Sequence, residues 1–207
     1  MKILIGTPIH SVKDYCFTDW VDHLKQFDSI ADVFLVDNSI RLDYIDSVKA
    51  ITSYETQKIE VYEAANAEER IALSRDIIRQ KVIDENYDYW FSLESDIFVP
   101  SNTLDELLRF GNEFHAIHHS YPSRHNSYDI QMGFGCSLIK REALVEFGFT
   151  LQYGKLDPLM SKCYHGGEAW FNHRIVRNGW KFCDLHGVVK GIKHIADPND
   201  PSIIQEV

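Results

Sequence analysis

At 207 residues, with 44% hydrophobic and 13% aromatic side chains, the chain suits one generous domain with a proper core and is not a disordered polymer. Its formal net charge of −10 argues against nucleic acid or an anionic membrane as the main partner, although a metal or a few arginines could reverse the field locally for a phosphate ligand. Four scattered cysteines (Cys16, Cys136, Cys163 and Cys183) show no CxxC and no zinc-ligand spacing, which suits free thiols in a reducing compartment.

"MKILIGTPIHSVKD" opens with a lysine and a short apolar run, but the run breaks at Gly6 to Pro8 and meets His10 and Asp14 too early for a signal peptide. Nothing approaches ~18 uninterrupted apolar residues, so no membrane span is expected and the location is read as cytoplasmic. "KILIGTPI" reads as a first strand entering a Gly-Thr-Pro turn. A helix around Tyr15 to Phe27 follows, then "ADVFLVDNS" as a second strand ending at Asp37 and Asn38, and "IEVYEA" as a third. Asn66 to Glu85 reads as a long helix: Asn66 can cap it, Glu68 and Glu69 suit its positive end, and Ala67, Ile71, Ile78 and Val82 form a stripe.

"YDYWFSL" is a strand running into "ESD", and "SNTLDELLRF" after Pro100 starts a helix capped at Ser101 or Asn102. Strands at "HAIHH" and "GFGCSLIK" and the helix "REALVEFG" come next. After an irregular region, "GGEAWFNHRIVRNG" is a helix preceded by Gly166 and Gly167 and stopped at Gly179. "VVKGIKHI" is a last short strand, and the polar tail from Ala196 is expected to be loosely held. With no repeat or linker to divide it, residues 1–207 read as a single domain. Strands alternating with helices predict an α/β fold, a mixed and mostly parallel sheet flanked by helices.

Ligands of such sheets collect at the carboxyl ends of the strands. Three predicted strand ends carry polar groups: Thr7 with His10, Asp37 with Asn38, and Glu94 with Asp96. Glu94 and Asp96 are two apart, so both point to one side, where like charges repel unless a cation sits between or near them. Carboxylate oxygens match Mg²⁺ or Mn²⁺, which in turn bridge phosphates. The same two acids would also suit a solvated strand-to-helix loop near a helix N-terminus.

"WFSLESDIFVP" resembles the DxD segment of GT-A-type glycosyltransferases of the family 2 kind, in the variant form ESD, where acids at a strand end hold a divalent metal on a nucleotide-sugar diphosphate. "ERIALSRDIIRQKVIDENYDYWFSLESD" is similar to the helix-then-strand approach to that motif. "GFGCSLIKREAL" resembles the family's glycine-containing strand and following helix, "GGEAWFNHRIVRNGWKFCDL" its acid-bearing helix, and "KGIKHI" ends on a histidine where many members supply a metal ligand. The matches keep their order over roughly Lys2 to Ile195, and the ordered set is more specific than any one of them.

The resemblance implies a Rossmann-like GT-A fold and a metal-dependent transferase. It would move sugar from a UDP- or GDP-sugar to a hydroxyl of a glycan, protein or small-molecule acceptor. It also implies roles. Asp96 would ligate Mn²⁺ or Mg²⁺ directly, Glu94 would do so through water or contact the donor's ribose, and His194 would add a neutral imidazole nitrogen. Thr7, Pro8, His10, Asp37, Arg75, Glu94 and Ser95 would contact the donor, with Asp37 reading the base and Arg75 pairing with the diphosphate. Each has a plainer explanation: an Asp-Asn turn for Asp37, a surface helix arginine for Arg75, a structural strand-end imidazole for His194.

Inverting members carry an acid pair where this chain has Glu168 and Ala169. Glu168 is the catalytic candidate, since glycines before a helix let a backbone approach a ligand closely. A base from Asp157 or His165, or a retaining reaction, stays open. "HHSYPSRHNSYDIQMG" is long enough to order over a bound ligand.

Other readings have weaker support in the residues. His118, His119, His165, His173 and His186 form no HExxH pair, and neither a GxSxG elbow nor a P-loop occurs. A metal-dependent nucleotidyltransferase would want a glycine- and lysine-rich loop where "GTPIHSVK" has one glycine. A non-catalytic nucleotide-sugar-binding protein of the same fold is made credible by Ala169.

Overall fold

The computed structural model describes residues 1–60, 66–122, 130–131, 133–149 and 167–199. In chain order the elements are β1 (Ile3–Ile9), α1 (Asp14–Leu24), β2 (Asp32–Asp37), α2 (Tyr44–Ile51), β3 (Glu55–Lys58), α3 (Ala67–Asp84), β4 (Tyr89–Leu93) and β5 (Ile97–Phe98). Then follow α4 (Thr103–Leu108), β6 (Ala116–His118), β7 (Tyr121–Pro122), β8 (Ile130–Gln131), β9 (Cys136–Lys140), α5 (Arg141–Glu146), α6 (Glu168–Arg177), β10 (Phe182–Asp184) and β11 (Lys193–His194). Short 3₁₀ turns cover Ser11–Lys13 and Lys25–Phe27.

Seven strands form one sheet in the order β10-β6-β9-β4-β1-β2-β3. β1 pairs in parallel with β2 and β4, β2 with β3, and β6 with β10, while β9 runs antiparallel between β4 and β6. The mixed, mostly parallel sheet with helices on both faces is the expected fold class.

The two-residue period of the strands divides the core. Ile3, Ile5, Val33, Leu35, Phe91 and Leu93 face Phe17, Trp20 and Leu24 of α1, Val48 of α2 and Leu104 and Leu107 of α4. Leu4, Phe34, Val36 and Trp90 face the other way, onto Ala72, Ile78 and Val82 of α3, Leu144 of α5 and Phe171 and Ile175 of α6. Gly6 is what lets α3 lie so close to β1. A Cβ there would run into the Ile78 side chain and sit 2.7 Å from Trp90 Nε1. That indole N–H instead donates to the Gly6 carbonyl at 2.9 Å.

Local signals explain most boundaries. Asn66 caps α3 as predicted, its Oδ1 accepting from Glu69 N at 2.9 Å. α1 covers most of the predicted helix, which finishes in the 3₁₀ turn to Phe27. Gly179, with φ 76, supplies the left-handed stop after α6. α4 begins at Thr103 after an Asn102 that makes no side-chain capping bond.

The expectations for the third and last strands need correcting. The third strand lies at Glu55–Lys58 rather than in "IEVYEA", whose last residues fall outside the described ones; Ile59 and Glu60 are not in a strand. β3 is a polar sheet edge that alternates exposed and half-buried residues, so it carries no apolar run. α2 and β10 were not anticipated, α2 because its buried face is only Tyr44 and Val48. The last strand shrinks to Lys193–His194, because left-handed Gly187 and Gly191 (φ 75 and 88) bend the segment that carries buried Val189 and Ile192. The predicted loop after His119, residues Asp157, His165 and Gly166, and the end of the tail fall wholly or partly outside the described residues. Among the described residues no helix is long and apolar enough to cross a membrane.

Candidate functional site

Because β2 and β4 flank β1 on opposite sides, the strand order reverses direction at β1. The crevice at the carboxyl ends of these strands is where open α/β sheets bind ligands. A cavity of about 330 Å³ opens there, walled by Pro8 at the end of β1, His10 and Lys13 after it, Asn38 after β2, Glu94 after β4, and Arg70, Ile71 and Arg75 of α3. On α3, Ala67, Ile71 and Arg75 share one helical stripe that faces the cavity.

The charged groups form a continuous chain. Arg75 Nη2 contacts Glu94 Oε1 at 3.5 Å and also pairs with Glu168 Oε1. Lys13 Nζ bridges Glu94 Oε2 at 3.4 Å and Asp96 Oδ1 at 2.8 Å. His194 Nε2 meets the other Asp96 oxygen at 3.2 Å. Burial pushes the Asp96 carboxyl up, but the His194 hydrogen bond and the Lys13 ammonium outweigh it and hold the group below the usual carboxylate range. Burial pushes the Glu168 carboxyl up; the Arg75 guanidinium pulls the other way, the Glu94 charge adds to the rise, and the net shift is upward.

Backbone pairing sets these positions. β11 lies antiparallel on β5, with His194 opposite Ile97, and Ile195 N donates to the Asp96 carbonyl at 2.8 Å. Glu94 N donates to Gly135 O at 3.0 Å. Tyr15 and Cys16 of α1 brace the turn through hydrogen bonds to Ile195 O and Ser95 O. The 3₁₀ turn that carries Lys13 is pinned by Ser11 N on Ser39 Oγ at 2.8 Å and Val12 N on His10 Nδ1 at 3.1 Å. Glu168 starts α6 directly after Gly167, whose φ of 79 and contact with the Phe149 carbonyl leave no room for a side chain.

The predicted residues therefore separate into two groups. Pro8, His10, Arg75 and Glu94 line the cavity, and Asp96, His194 and Glu168 join Glu94 and Arg75 in the charged chain. Thr7, Asp37 and Ser95 are not on the cavity wall. Thr7 Oγ1 donates to Leu93 O at 2.7 Å, bolting β1 to β4. Asp37 accepts from Ser39 N at 2.7 Å and from Lys58 Nζ at 2.6 Å, which fixes the β2 loop, and its neighbour Asn38 faces the cavity with an Oδ1 that has no partner among the described residues. Ser95 is fully buried.

Lys13, Arg70 and Tyr121 are additions. Arg70 was detectable as the stripe's neighbour; Lys13 was not, because a lysine after a strand gives no hint of the turn that aims it. Tyr121 packs edge-on to the His194 ring at 5.4 Å.

No protein-family model and no curated protein matches the chain. Solved structures do. PcManGT, a mannosyltransferase from Pyrobaculum calidifontis in complex with GDP-Man and Mn²⁺, aligns with a TM-score of 0.63 at 12% identity over 96% of this chain and 58% of that one. S. aureus TarS 1–349 in complex with UDP aligns at 0.58 and 12% over 89% and 58%. The 4-diphosphocytidyl-2C-methyl-D-erythritol synthase of Anaerococcus prevotii aligns at 0.57 and 11% over 89% and 86%. The chain shares the fold of these structures. This chain spans little more than half the length of the first two.

Among the described residues no cluster of three or more His, Cys, Asp or Glu side chains is gathered for a metal. The expected trio is instead a contact pair, Asp96 with His194, with Glu94 tied to Asp96 through one ammonium. This donor set still fits Mg²⁺ or Mn²⁺, which take one or two carboxylates from a protein and the rest of their shell from phosphate and water. A cation, Lys13 Nζ, already sits between the two acids.

Proposed function

We propose that this chain is a metal-dependent glycosyltransferase, working as a single domain, that moves a sugar from a UDP- or GDP-sugar to the hydroxyl of a glycan, protein or small-molecule acceptor. The observation that carries the reading is the charged chain Glu168–Arg75–Glu94–Lys13–Asp96–His194, whose Arg75, Glu94 and Lys13 line a cavity at the reversal point of the sheet. Pro8, His10 and Asn38 wall the nucleoside side, with Thr7, Asp37 and Ser95 holding the strand ends behind them. Lys13, Arg70 and Arg75 face the diphosphate, and Arg75 can meet it as a planar, charged fork. Asp96 and His194, with Glu94, would hold Mn²⁺ or Mg²⁺, which supplies Lewis-acid stabilisation of the leaving diphosphate when bound. Glu168 takes the acceptor's proton as general base, a role its raised pKa favours by making the carboxylate more basic.

Titration calorimetry with UDP and GDP, with and without Mn²⁺, tests this and names the nucleotide. Wild type is expected to bind one of them in a Mn²⁺-dependent way and Asp96→Ala to lose that binding while its circular dichroism is retained. Equal affinity in the variant would overturn the reading.

Nucleotidyl transfer is the second reading, favoured by the likeness to the erythritol synthase and by a lysine reaching the site from the segment after β1. Product analysis separates them: glycosyl transfer releases a nucleoside diphosphate, nucleotidyl transfer releases pyrophosphate.

A further inference from the structure

Lys13 occupies a position that a divalent ion would have to contest. Its ammonium lies 2.8 Å from Asp96 Oδ1 and 3.4 Å from Glu94 Oε2, and its side chain is only 18% exposed. The turn that aims it is fixed at both ends: His10 caps it, Ser39 anchors Ser11, and α1 begins at the next residue. Lys13 is also one of the residues that line the cavity, together with Glu94 and Arg75, so ligand space adjoins the residue that holds the acids.

We propose that Lys13 is an internal counter-ion that keeps the acids closed to metal until a diphosphate arrives. With the cavity empty, a metal ion must displace the ammonium from Asp96 and Glu94, and its affinity is reduced by that competition. A diphosphate in the cavity offers the ammonium new oxygens within reach of the same flexible stem. Once the ammonium turns to them, the carboxylates are released for the ion. Metal and nucleotide therefore bind with positive coupling, and by linkage each raises the affinity of the other by the same factor. The device lies within the proposed metal- and nucleotide-binding reading, and it makes a prediction about metal alone that does not need the nucleotide to be known.

The probe is Mn²⁺ alone, titrated into the full chain by calorimetry or by electron paramagnetic resonance of the free ion. Lys13→Met is expected to bind Mn²⁺ about tenfold or more tightly than wild type, since a unit charge a few ångströms from two acids is removed. Lys13→Arg, which keeps the charge, is expected to stay near wild type. Arg70→Met is the decisive control. It removes a cation from the same cavity wall without touching either carboxylate, and it is expected to shift Mn²⁺ affinity less than threefold.

With UDP or GDP present, wild type and Lys13→Met should converge, so the gain that nucleotide gives to Mn²⁺ binding shrinks in the variant by the same factor. Three results would overturn the proposal: no gain in Lys13→Met, no Mn²⁺ binding by either protein, or an equal gain in Arg70→Met. Should Lys13→Met not fold, Lys13→Gln carries the same test. If Asp96-dependent nucleotide binding holds while Lys13→Met shows no gain, this inference fails alone; if no nucleotide binds, the functional reading and the coupling both fail, while the Mn²⁺ titration still decides whether Lys13 is the counter-ion of the acids.

Discussion

Glu168 feels opposed influences: burial and the Glu94 charge favour its neutral form, and the Arg75 guanidinium favours the carboxylate. As a general base it must be ionised, so acidification should cut the transfer rate, beginning at a higher pH than for an ordinary glutamate. Glu168→Gln is expected to lower kcat by about 10²- to 10⁴-fold and abolish that acid limb, while Mn²⁺-dependent nucleotide binding persists; a pH–rate profile of both proteins checks it. Acids out of place are easy to find in a sequence, which is why Glu94 and Asp96 stood out, while Glu168 was singled out by the resemblance and by the glycines before it. Their counter-charges were less so, because a lysine or arginine has an ordinary home on any surface. The Asp37-Asn38 pair shows the limit well. Adjacent side chains leave the end of a strand in different directions, and only the packed structure reveals that Asp37 turns to Lys58 and Asn38 to the cavity.

Between elements, His118 of β6 is the fully buried joint. Its Nδ1 is hydrogen-bonded to Ser137 Oγ of β9 at 2.7 Å and its Nε2 faces Asn172 of α6 at 3.1 Å. Burial is the main cause that lowers its pKa from 6.5 to about 4. The unfolded chain therefore binds a proton that the folded chain refuses between those values. Stability contributed by this joint is complete above 6.5, falls as the pH drops through the window and levels off below about 4, a loss of about 3 kcal/mol. Urea titrations from pH 7.5 to about 4 should show His118→Gln losing less over that range than wild type. Patterning predicted β6 and β9, whose inward faces are apolar, but not this polar joint, which depends on three elements meeting. The same logic hid β3: an edge strand with neither face fully buried has no alternation strong enough to read.

At the scale of the whole molecule, the packing of α3 on the sheet depends on its close approach to β1 at Gly6. Gly6→Ala is expected to cost about 1–3 kcal/mol by overpacking against Ile78 and Trp90, seen as a lower midpoint in urea with an unchanged slope. The alternation of strands and helices made the fold class readable, because each strand near the centre of the sheet is apolar on both faces. Sheet order was not readable in the same way. The insertion of antiparallel β9 between β4 and β6 follows from contacts far apart in sequence, as does the arrival of β11 beside β5.

That last pairing has a consequence for how the protein is made. His194 stands 98 positions after Asp96, while Lys13 precedes both acids. A chain growing at about 5–20 residues per second spends roughly 5–20 s between synthesising the acid and its imidazole neighbour. During that interval the amine of Lys13 is the one partner of Asp96's carboxylate, of these two, that has been synthesised, and the imidazole is added only afterwards.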